Sequence, residues 1–301
     1  MSKIEILKKE NDNITMMLEK AERDNDFDAI YKLKKQYYSN KLSMLELLTV
    51  KNETFTISAR ELKRKTDAKP HAIRYETGIS VLDEKLKGGF EVGSLIQLAG
   101  QSFAGKTTLF LSIVANIAKY SKAMFASFEM GDRRIVKRLQ ELLTEEKQWD
   151  NLLINSETRD INDLVMEITL LANEGIKFFA IDSRMKLKMS GSDAEYQKIS
   201  LMSSRLSECA IKNDIIILLV NQISEEDLKN RRLSLKGSGD QLYDSDMALF
   251  ILIKDDESRE LICTKNRQDE FTFKVDLPKN YNQKRYVVTE YVEEKIEMSV
   301  L

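Results

Sequence analysis

The feature that most constrains this chain is the run Gly100-Gln101-Ser102-Phe103-Ala104-Gly105-Lys106-Thr107, which fits G-x-x-x-x-G-K-[ST] at every fixed position. An apolar stretch, LIQLA, precedes the run, and a helix-like stretch, TTLFLSIVANIAKY, follows it. In such a strand–loop–helix context, backbone N–H groups surround phosphate oxygens and the helix N-terminus adds the positive end of its dipole. The run therefore predicts a phosphate-binding loop over residues 100–107, continued by Thr108 at the start of the helix.

Three side chains carry the chemistry expected of this loop. Lys106 is expected to reach the β- and γ-phosphates of ATP, and the hydroxyl of Thr107 to ligate Mg²⁺. Such a site needs a second Mg²⁺-positioning carboxylate at a strand end, and Asp182 closes the apolar run FFAID. Taken alone, Asp182 could equally be an ordinary loop aspartate. Beside the phosphate-binding loop, we interpret it as a metal ligand.

Two further polar residues follow apolar stretches. Glu129 comes directly after the strand predicted over 123–128, at the sheet edge where the phosphates would lie. It is a candidate general base for water, with an ordinary acid at a helix N-terminus as the alternative. Gln222 follows the strand predicted over 215–220 and is a candidate γ-phosphate sensor, with a purely structural role as the alternative.

From residue 76 onward, short apolar runs alternate with helical stretches. Alternation of this kind predicts an α/β fold with a mostly parallel sheet, and the last strands, which follow one another without helices, predict an antiparallel edge. The predicted strands are 95–99, 123–128, 177–181, 215–220, 248–253 and 260–264, and the predicted helices are 106–119, 132–146, 160–174 and 194–212.

The chain before this region divides into two parts. Residues 1–50 carry two apolar stripes at helical spacing, separated near Asp26, which predicts a helical hairpin with Asp26 capping the second helix. Residues 51–75 are polar and predict a linker with a short helix around 58–65, so that 76–301 forms the main domain. A hairpin this small buries little alone. It is either a packing appendage or a device for oligomerisation or partner docking.

Composition narrows the function. Hydrophobic residues make up 42% and charged residues 32%, with a net charge of −2, so any nucleic-acid contact depends on local patches. Two cysteines and a single histidine, His71, provide no zinc cluster. The sequence shows no stretch as apolar as a signal peptide or a membrane span, and we expect a cytoplasmic protein without membrane contact.

Taken together, these motifs resemble the DnaB-type replicative DNA helicases over about residues 75–277. Thr77-Gly78-Ile79-Ser80-Val81-Leu82-Asp83 with Gly88-Gly89 is similar to the family's T-G-x-x-x-L-D…G-G, and Ser127-Phe128-Glu129-Met130 to its S-L-E-M. Asn221-Gln222-Ile223-Ser224 resembles S-Q-L-S. Gly237-Ser238-Gly239 with Asp244-Ser245-Asp246 resembles the stretch from S-G to D-A-D, and Lys265-Asn266-Arg267 resembles K-N-R.

The resemblance implies a RecA-like ATPase core and roles that the residues alone do not give. It implies that Glu129 is the catalytic base and that Arg267, with Lys265 beside it, acts in trans on ATP held by the neighbouring subunit. An arginine that reaches the transferring phosphoryl group stabilises the charge of the transition state. The resemblance also implies a ring, normally a hexamer. Without it, Arg267 is only a charged residue after an edge strand.

Loops on the inner face of such a ring are expected to contact single-stranded DNA. The candidates are Arg184 and Lys186 in one loop, and Arg231, Arg232 and Lys236 in another. Contacts to phosphates would make binding independent of sequence and sensitive to salt. Short basic runs can also be solvated surface.

The chain departs from the family's pattern in three places. The region before the main domain is short, which puts the usual docking of a primase or loader protein in doubt, although residues 1–70 remain the candidate partner region. The loop interior reads Q-S-F-A, and Ser183-Arg184 follows Asp182.

The alternatives to a helicase are a RecA- or KaiC-like DNA-binding ATPase without unwinding activity and a nucleotide-gated assembly or loading factor. The intact set Lys106, Thr107, Glu129 and Asp182 argues against an inactive scaffold.

Overall fold

The computed structural model describes residues 2–49, 56–68, 73–190, 194–230, 232–236, 240–277, 279–280 and 285–286. The helices are α1 (Lys3–Arg23), α2 (Phe27–Thr49), α3 (Ala59–Asp67), α4 (Ser80–Lys85), α5 (Lys106–Ile117), α6 (Asp132–Gln140), α7 (Glu146–Asn151), α8 (Ile161–Asn173), α9 (Glu195–Asn213), α10 (Glu225–Lys229) and α11 (Asp240–Asp244). The strands are β1 (Arg74–Tyr75), β2 (Phe90–Glu91), β3 (Ser94–Gly100), β4 (Ala123–Ser127), β5 (Leu152–Asn155), β6 (Phe178–Asp182), β7 (Ile216–Gln222), β8 (Met247–Ile253), β9 (Arg259–Asn266), β10 (Phe273–Leu277), β11 (Lys279–Asn280) and β12 (Arg285–Tyr286).

The contacts divide the chain into two units. The first contains α1, α2, α3 and, from the middle of the sequence, α8; the second contains the other described elements. The structure therefore groups α8 with the N-terminal helices, whereas the sequence pattern places it within the 76–301 domain. Helix α3 corresponds to the short helix predicted around 58–65. The predicted linker also includes 51–55 and 69–72, which lie outside the described residues.

Helices α1 and α2 form the predicted hairpin. Ser2 and Glu5 build a capping box at the start of α1, and the Asp26 carboxylate accepts the Ala29 N–H at 3.0 Å, which confirms Asp26 as the cap of α2. Buried Ile14 and Ala21 belong to the apolar stripe of α1. Asn11 ties the two helices together by donating from Nδ2 to the Tyr37 carbonyl at 3.3 Å.

Helix α8 joins this hairpin through one acidic side chain. The Asp163 carboxylate accepts the Tyr31 hydroxyl at 2.9 Å and pairs with the Lys35 ammonium at 2.8 Å. The Asp163 side chain is 11% exposed, so the Tyr31 bond lies in a partly desolvated position where it stabilises more than a surface contact would. The first unit is thus held by hydrogen bonds between residues far apart in sequence.

The second unit is built on an eight-stranded sheet in the order β10-β9-β8-β3-β7-β6-β4-β5. Strands β8, β3, β7, β6, β4 and β5 are parallel, while β9 and β10 are antiparallel additions at one edge. Every residue of β3, β4 and β6 is buried, as expected for parallel strands in the middle of a sheet. The α/β fold class, the mostly parallel sheet and the antiparallel edge are confirmed.

The register of this sheet places the polar motifs at one edge. Gly100 lies opposite Gln222 across β3 and β7, and Ser127 lies opposite Asp182 across β4 and β6. Parallel strands end on the same side of a sheet, and adjacent strands are about 4.8 Å apart. The phosphate-binding loop, Gln222, Asp182 and the residues after Ser127 therefore share the carboxyl edge of the sheet.

The core of the second unit is apolar and closely packed. Helix α5 buries most of its length, including Leu109, Phe110 and Ile113. The rings of Phe110 and Phe125 meet edge to face with centroids 5.3 Å apart. Fully burying one such side chain contributes about 1.5–3 kcal/mol. This packing fixes the direction in which α5 leaves the phosphate-binding loop.

Several short elements were not predicted. Helices α4 and α7 and strands β5 and β10 are each between four and six residues long, which is too short for a clear periodic pattern. No helix among the described residues has the length and apolarity required to cross a membrane. Cys209 and Cys263 are buried free thiols.

Candidate active site

The phosphate-binding loop depends on glycine at its two ends. A Cβ on Gly100 would lie 2.5 Å from Ile251 Cγ2 and 2.6 Å from the Ile251 carbonyl oxygen on β8, closer than real Cβ contacts come. Gly105, with φ at +96°, precedes α5 in the left-handed region. The two glycines thus allow β3 to pass tightly beside β8 and the chain to turn sharply into α5.

The Lys106 ammonium is folded into its own loop. It donates to the carbonyls of Gly100 and Gln101, each at 2.7 Å. Burial lowers the pKa of Lys106, and the nearby carboxylates of Asp182 and Glu129 oppose that effect. The ammonium is therefore held at the concave side of the loop, close to both acids, where a phosphate would need a cation.

Asp182 is the buried acid of this cluster. Its side chain is 2% exposed at the end of β6, and burial, followed by repulsion from Glu129, raises its pKa to about 7. Lys106 and a hydrogen bond from the Thr107 hydroxyl act in the opposite direction. A buried carboxyl with its pKa raised in this way is relieved by a cation placed beside it.

This donor set fits Mg²⁺. Asp182 and Thr107 supply two hard oxygen donors side by side, and Mg²⁺ is usually bound by one or two protein oxygens, with phosphates and waters completing its shell. In the part of the chain that the structure describes, no group of three or more His, Cys, Asp or Glu side chains forms a metal cluster. The site therefore suits a metal shared with a nucleotide rather than one enclosed by protein.

Glu129 lies just beyond β4 with an exposed side chain. Ser183 donates from its hydroxyl to Glu129 Oε1 at 2.5 Å, and the Phe128 N–H donates to the Asp182 carbonyl at 2.8 Å. These two bonds join the segments that follow β4 and β6. They hold the Glu129 carboxylate in one orientation while leaving it open to water, as a general base requires.

Two contributions to this site could not be found from the sequence. Ser183, which orients Glu129, belongs to no motif that the sequence analysis used. Arg259, at the start of β9, donates from Nε to the Ala104 carbonyl at 3.2 Å and so steadies the loop from the antiparallel edge. Only the pairing of β9 with β8 brings Arg259 to the loop.

Phe103, inside the same loop, is 95% exposed with φ at +63°, so its ring does not pack within the described chain.

Arg267 and Lys265 lie together at the end of β9. Both donate to the Tyr243 carbonyl, Arg267 from Nη2 at 2.9 Å and Lys265 from Nζ at 3.0 Å, and Lys265 also donates to the Leu242 carbonyl. Burial, and then the charge of Arg267, lowers the pKa of Lys265. The acceptors of these bonds lie near the end of α11. None of the bonds reaches Lys106, Thr107, Asp182 or Glu129 of the same chain.

The basic residues expected to contact DNA differ in their exposure. Lys186, Arg232 and Lys236 are exposed, and Arg231 lies outside the described residues, as does the Gly237-Ser238-Gly239 motif. Arg184 is only 4% exposed, and its guanidinium is engaged by Asn221 and by the Lys236 carbonyl. A buried, hydrogen-bonded guanidinium is not available to a DNA phosphate. The expected direct contact of Arg184 with DNA is therefore corrected, because its side chain is not exposed.

The fold and site together define a RecA-like P-loop ATPase domain. Residues 75–287, more than two thirds of the 301-residue chain, match the model of the DnaB-like helicase C terminal domain. The chain belongs to this family.

Curated relatives are distant and longer. The DNA repair protein RadA of Aquifex aeolicus is 26% identical over 156 residues, which is 51% of this chain and 34% of RadA. RadA of Escherichia coli is 27% identical over 157 residues, covering 51% of this chain and 32% of RadA. The chain thus spans about a third of the length of these relatives.

Solved structures share the fold at low identity. A DnaB-like replicative helicase, described together with its interactions with primase, aligns with a TM-score of 0.63 and 18% identity over 94% of this chain and 77% of the helicase chain. A separately solved ATPase domain aligns with the same TM-score of 0.63 and 18% identity over 77% of this chain and 96% of that domain. The KaiC-like protein PH0186 from Pyrococcus horikoshii aligns at 0.59 and 17% over 73% of this chain and all of that protein.

Proposed function

We propose that this chain is the motor of a ring-forming DNA helicase that hydrolyses ATP at subunit interfaces, translocates on single-stranded DNA and unwinds duplex during replication. The observation that carries the proposal is the convergence of Lys106, Thr107, Asp182 and Glu129 at one sheet edge in a chain of the DnaB-like family. The ring, the DNA and the unwinding are parts of the proposal that the family membership supports.

The chemistry follows from the residues at this edge. The loop N–H groups and Lys106 bind the β- and γ-phosphates, and Thr107 and Asp182 would hold Mg²⁺, which supplies positive charge to the phosphate oxygens when bound. Water attacks the γ-phosphorus, the bond to the β–γ bridging oxygen breaks, and ADP departs. Glu129, oriented by Ser183, accepts the proton that the water loses. Gln222, opposite Gly100, would report the presence of the γ-phosphate to the chain that follows β7.

The proposal completes each site with the neighbouring subunit. The Arg267 side chain is 55% exposed, and its contacts with Tyr243 and Asp246 are made within its own chain. In a ring, Arg267 would leave the Tyr243 carbonyl for the γ-phosphate of the adjacent protomer, with Lys265 beside it. An arginine supplied in trans in this way accelerates hydrolysis by about 10³–10⁵ in related enzymes.

The proposed DNA contacts are the exposed cations Lys186, Arg232 and Lys236, together with Arg231, which remains a candidate from the sequence. Each phosphate contact would make binding more sensitive to salt. The helical unit around residues 1–70 is the proposed docking region for a primase or loader protein.

The second candidate is a RecA-like DNA-binding ATPase without unwinding activity, acting in recombination or in helicase loading. It is favoured by the similarity to RadA, named a DNA repair protein, and by the fold shared with a KaiC-like protein. Lys106, Thr107, Asp182 and Glu129 would hydrolyse ATP in the same way under either proposal. Unwinding activity, rather than hydrolysis, separates them.

The first test addresses the catalytic base. Glu129→Gln is expected to retain ATP binding and to lower turnover by about 10²–10⁴, because the amide cannot accept the proton. Glu146→Gln, on the exposed start of α7, is the matched control and is expected to hydrolyse ATP normally. Lys106→Ala is expected to abolish hydrolysis. Normal turnover by Glu129→Gln would refute the assignment of the base.

The second test addresses the residue supplied in trans. Protomers carrying Arg267→Ala are mixed with protomers carrying Lys106→Ala, each inactive alone. Mixed rings contain interfaces in which an intact phosphate-binding loop faces an intact Arg267, so the mixture is expected to recover ATP hydrolysis. Activity no higher than that of either variant would rule out the action of Arg267 across the interface.

A further inference from the structure

Arg184 occupies an unusual position for a cation. Its side chain is 4% exposed, and it donates from Nε to Asn221 Oδ1 at 3.0 Å and from Nη2 to the Lys236 carbonyl at 3.0 Å. The Met185 sulfur is a third acceptor at 2.7 Å. All three acceptors are neutral. Glu195 is close enough for its charge to favour the guanidinium, but burying a cation away from water remains costly unless hydrogen bonds compensate it.

The backbone of Arg184 directly follows the nucleotide site in the chain, while its side chain bonds to Asn221, Met185 and the Lys236 carbonyl. Arg184 is two residues after Asp182, the proposed Mg²⁺ ligand, and directly follows Ser183, whose hydroxyl holds Glu129. The Lys186 N–H donates to the Ser183 carbonyl at 3.0 Å, closing a short turn over residues 184–186. A displacement of Ser183 would therefore be transmitted directly to the Arg184 backbone.

The guanidinium of Arg184 joins a buried amide network at the end of β7. Asn221, fully buried, donates from Nδ2 to Gln241 Oε1 at 2.8 Å and to Gln97 Oε1 at 3.3 Å, and its Oδ1 accepts the Gln222 N–H at 3.0 Å. Asn221 thus links Arg184 to the backbone of Gln222, the proposed γ-phosphate sensor.

The same network fixes the backbone at Lys236. The Lys236 carbonyl accepts from Arg184 at 3.0 Å and from Gln241 Nε2 at 3.3 Å, while the Lys236 N–H donates to the Gln222 carbonyl at 2.8 Å. Its side chain is exposed. The peptide groups on either side of a proposed DNA contact are therefore held by residues attached to the nucleotide site.

We propose that Arg184 is a positioning residue that couples the nucleotide site to the DNA-contacting segment at Lys236. This inference rests on the proposed function, because it assigns Lys236 to DNA. Changes at Ser183 and Glu129 during ATP turnover move Arg184, and its bond to the Lys236 carbonyl carries that movement to the DNA-binding side chain. The buried side chains of this network have few alternative partners, so a shift of one of them is passed to the next.

The test measures DNA affinity and basal hydrolysis separately. Binding of a labelled oligo(dT) is followed by fluorescence anisotropy with a non-hydrolysable ATP analogue, and ATP hydrolysis is measured without DNA. Arg184→Met, which keeps a flexible, largely aliphatic side chain and removes the donors, is expected to weaken oligo(dT) binding about tenfold, which corresponds to about 1.4 kcal/mol. The KM for ATP and the DNA-free kcat are expected to stay within about twofold of wild type.

A double variant shows whether Arg184 acts through Lys236. Lys236→Ala alone is expected to weaken oligo(dT) binding, and adding Arg184→Met is expected to cause no further loss, because the positioned side chain is already absent. Losses that multiply in the double variant would show that Arg184 does not act through Lys236, and would overturn the inference.

Two further variants separate positioning from simple stability. Gln148→Met removes an equally buried amide that bonds to the carbonyl of Ala115 and the N–H groups of Thr144 and Glu145, far along the chain from the network, and it is expected to leave DNA affinity unchanged. Arg184→Lys keeps the charge with a single donor group and is expected to bind DNA between wild type and Arg184→Met. It also serves as the test variant if Arg184→Met does not fold.

These measurements separate a failure of the role assigned to Arg184 from a failure of the proposed function. If Arg184 variants lose DNA-free hydrolysis as strongly as DNA binding, or bind DNA normally, the residue is structural and the inference fails while the proposed function stands. If wild-type protein hydrolyses ATP but does not bind oligo(dT), the proposed function itself fails.

Discussion

The buried Asp182 carboxyl makes the stability of the nucleotide-free protein depend on pH. Burial and the neighbouring Glu129 raise its pKa from the ordinary 3.8 to about 7. The folded protein therefore keeps this proton at pH values where the unfolded chain has released it. The free energy of unfolding is expected to fall as the pH rises from about 4 to about 7, and to level off above that range.

The magnitude follows from the same two values. A difference of about three pK units, at 1.36 kcal/mol each, corresponds to about 4 kcal/mol. Asp182→Asn keeps the shape and an acceptor for the Thr107 hydroxyl but has no proton to release. The variant is expected to match wild type within about 1 kcal/mol at pH 4 and to be more stable by up to about 4 kcal/mol at pH 8.

Urea unfolding of protein free of nucleotide and metal measures this directly. The single tryptophan, Trp149, packs against the core of the sheet-containing unit, so its fluorescence reports on the unit that contains Asp182. The exposed Asp150 provides a matched control, Asp150→Asn, which is expected to stay within about 0.5 kcal/mol of wild type at both pH values. A stability difference between Asp182→Asn and wild type that does not grow with pH would refute the reasoning.

Three other predictions concern residues that hold the site or the helices in place. Gly100→Ala forces a Cβ against Ile251 and is expected to cost about 1–3 kcal/mol of stability, measured by urea unfolding. Arg259→Gln removes the contact to the Ala104 carbonyl and is expected to raise the KM for ATP about fivefold with kcat within about twofold, in steady-state kinetics. An equal fall in kcat would instead place Arg259 in the chemical step. Asp163→Ala leaves the Tyr31 hydroxyl without its acceptor and is expected to destabilise α2 by about 1–3 kcal/mol, seen as faster amide hydrogen exchange in that helix. Unchanged exchange would show that this bond does not hold the helices.

Much of the sheet-containing unit could be predicted because its signals are local. The glycine pattern of the loop, the apolar strands and their terminal acids are each read within a few residues. The order of a parallel sheet then brings Asp182 and Gln222 to the edge that the loop occupies. Helical spacing and the Asp26 cap were likewise sufficient for α1 and α2.

The remaining features depend on contacts between residues distant in sequence. Arg184 follows an apolar strand in a basic run, so its sequence resembles an exposed loop, and only the position of Asn221 and Lys236 shows that it is buried. Helix α8 joins the N-terminal helices because Tyr31 and Lys35 reach Asp163, more than a hundred residues away. No periodic pattern within either segment records that pairing.

The central proposal is that hydrolysis at this site drives separation of DNA strands. The most direct measurement is ATP-dependent unwinding of a forked DNA duplex by the purified protein, with Lys106→Ala as the control. We expect strand separation by wild type in the presence of ATP and Mg²⁺, and none by Lys106→Ala. Hydrolysis stimulated by single-stranded DNA without any strand separation would contradict it and favour the DNA-binding ATPase that does not unwind.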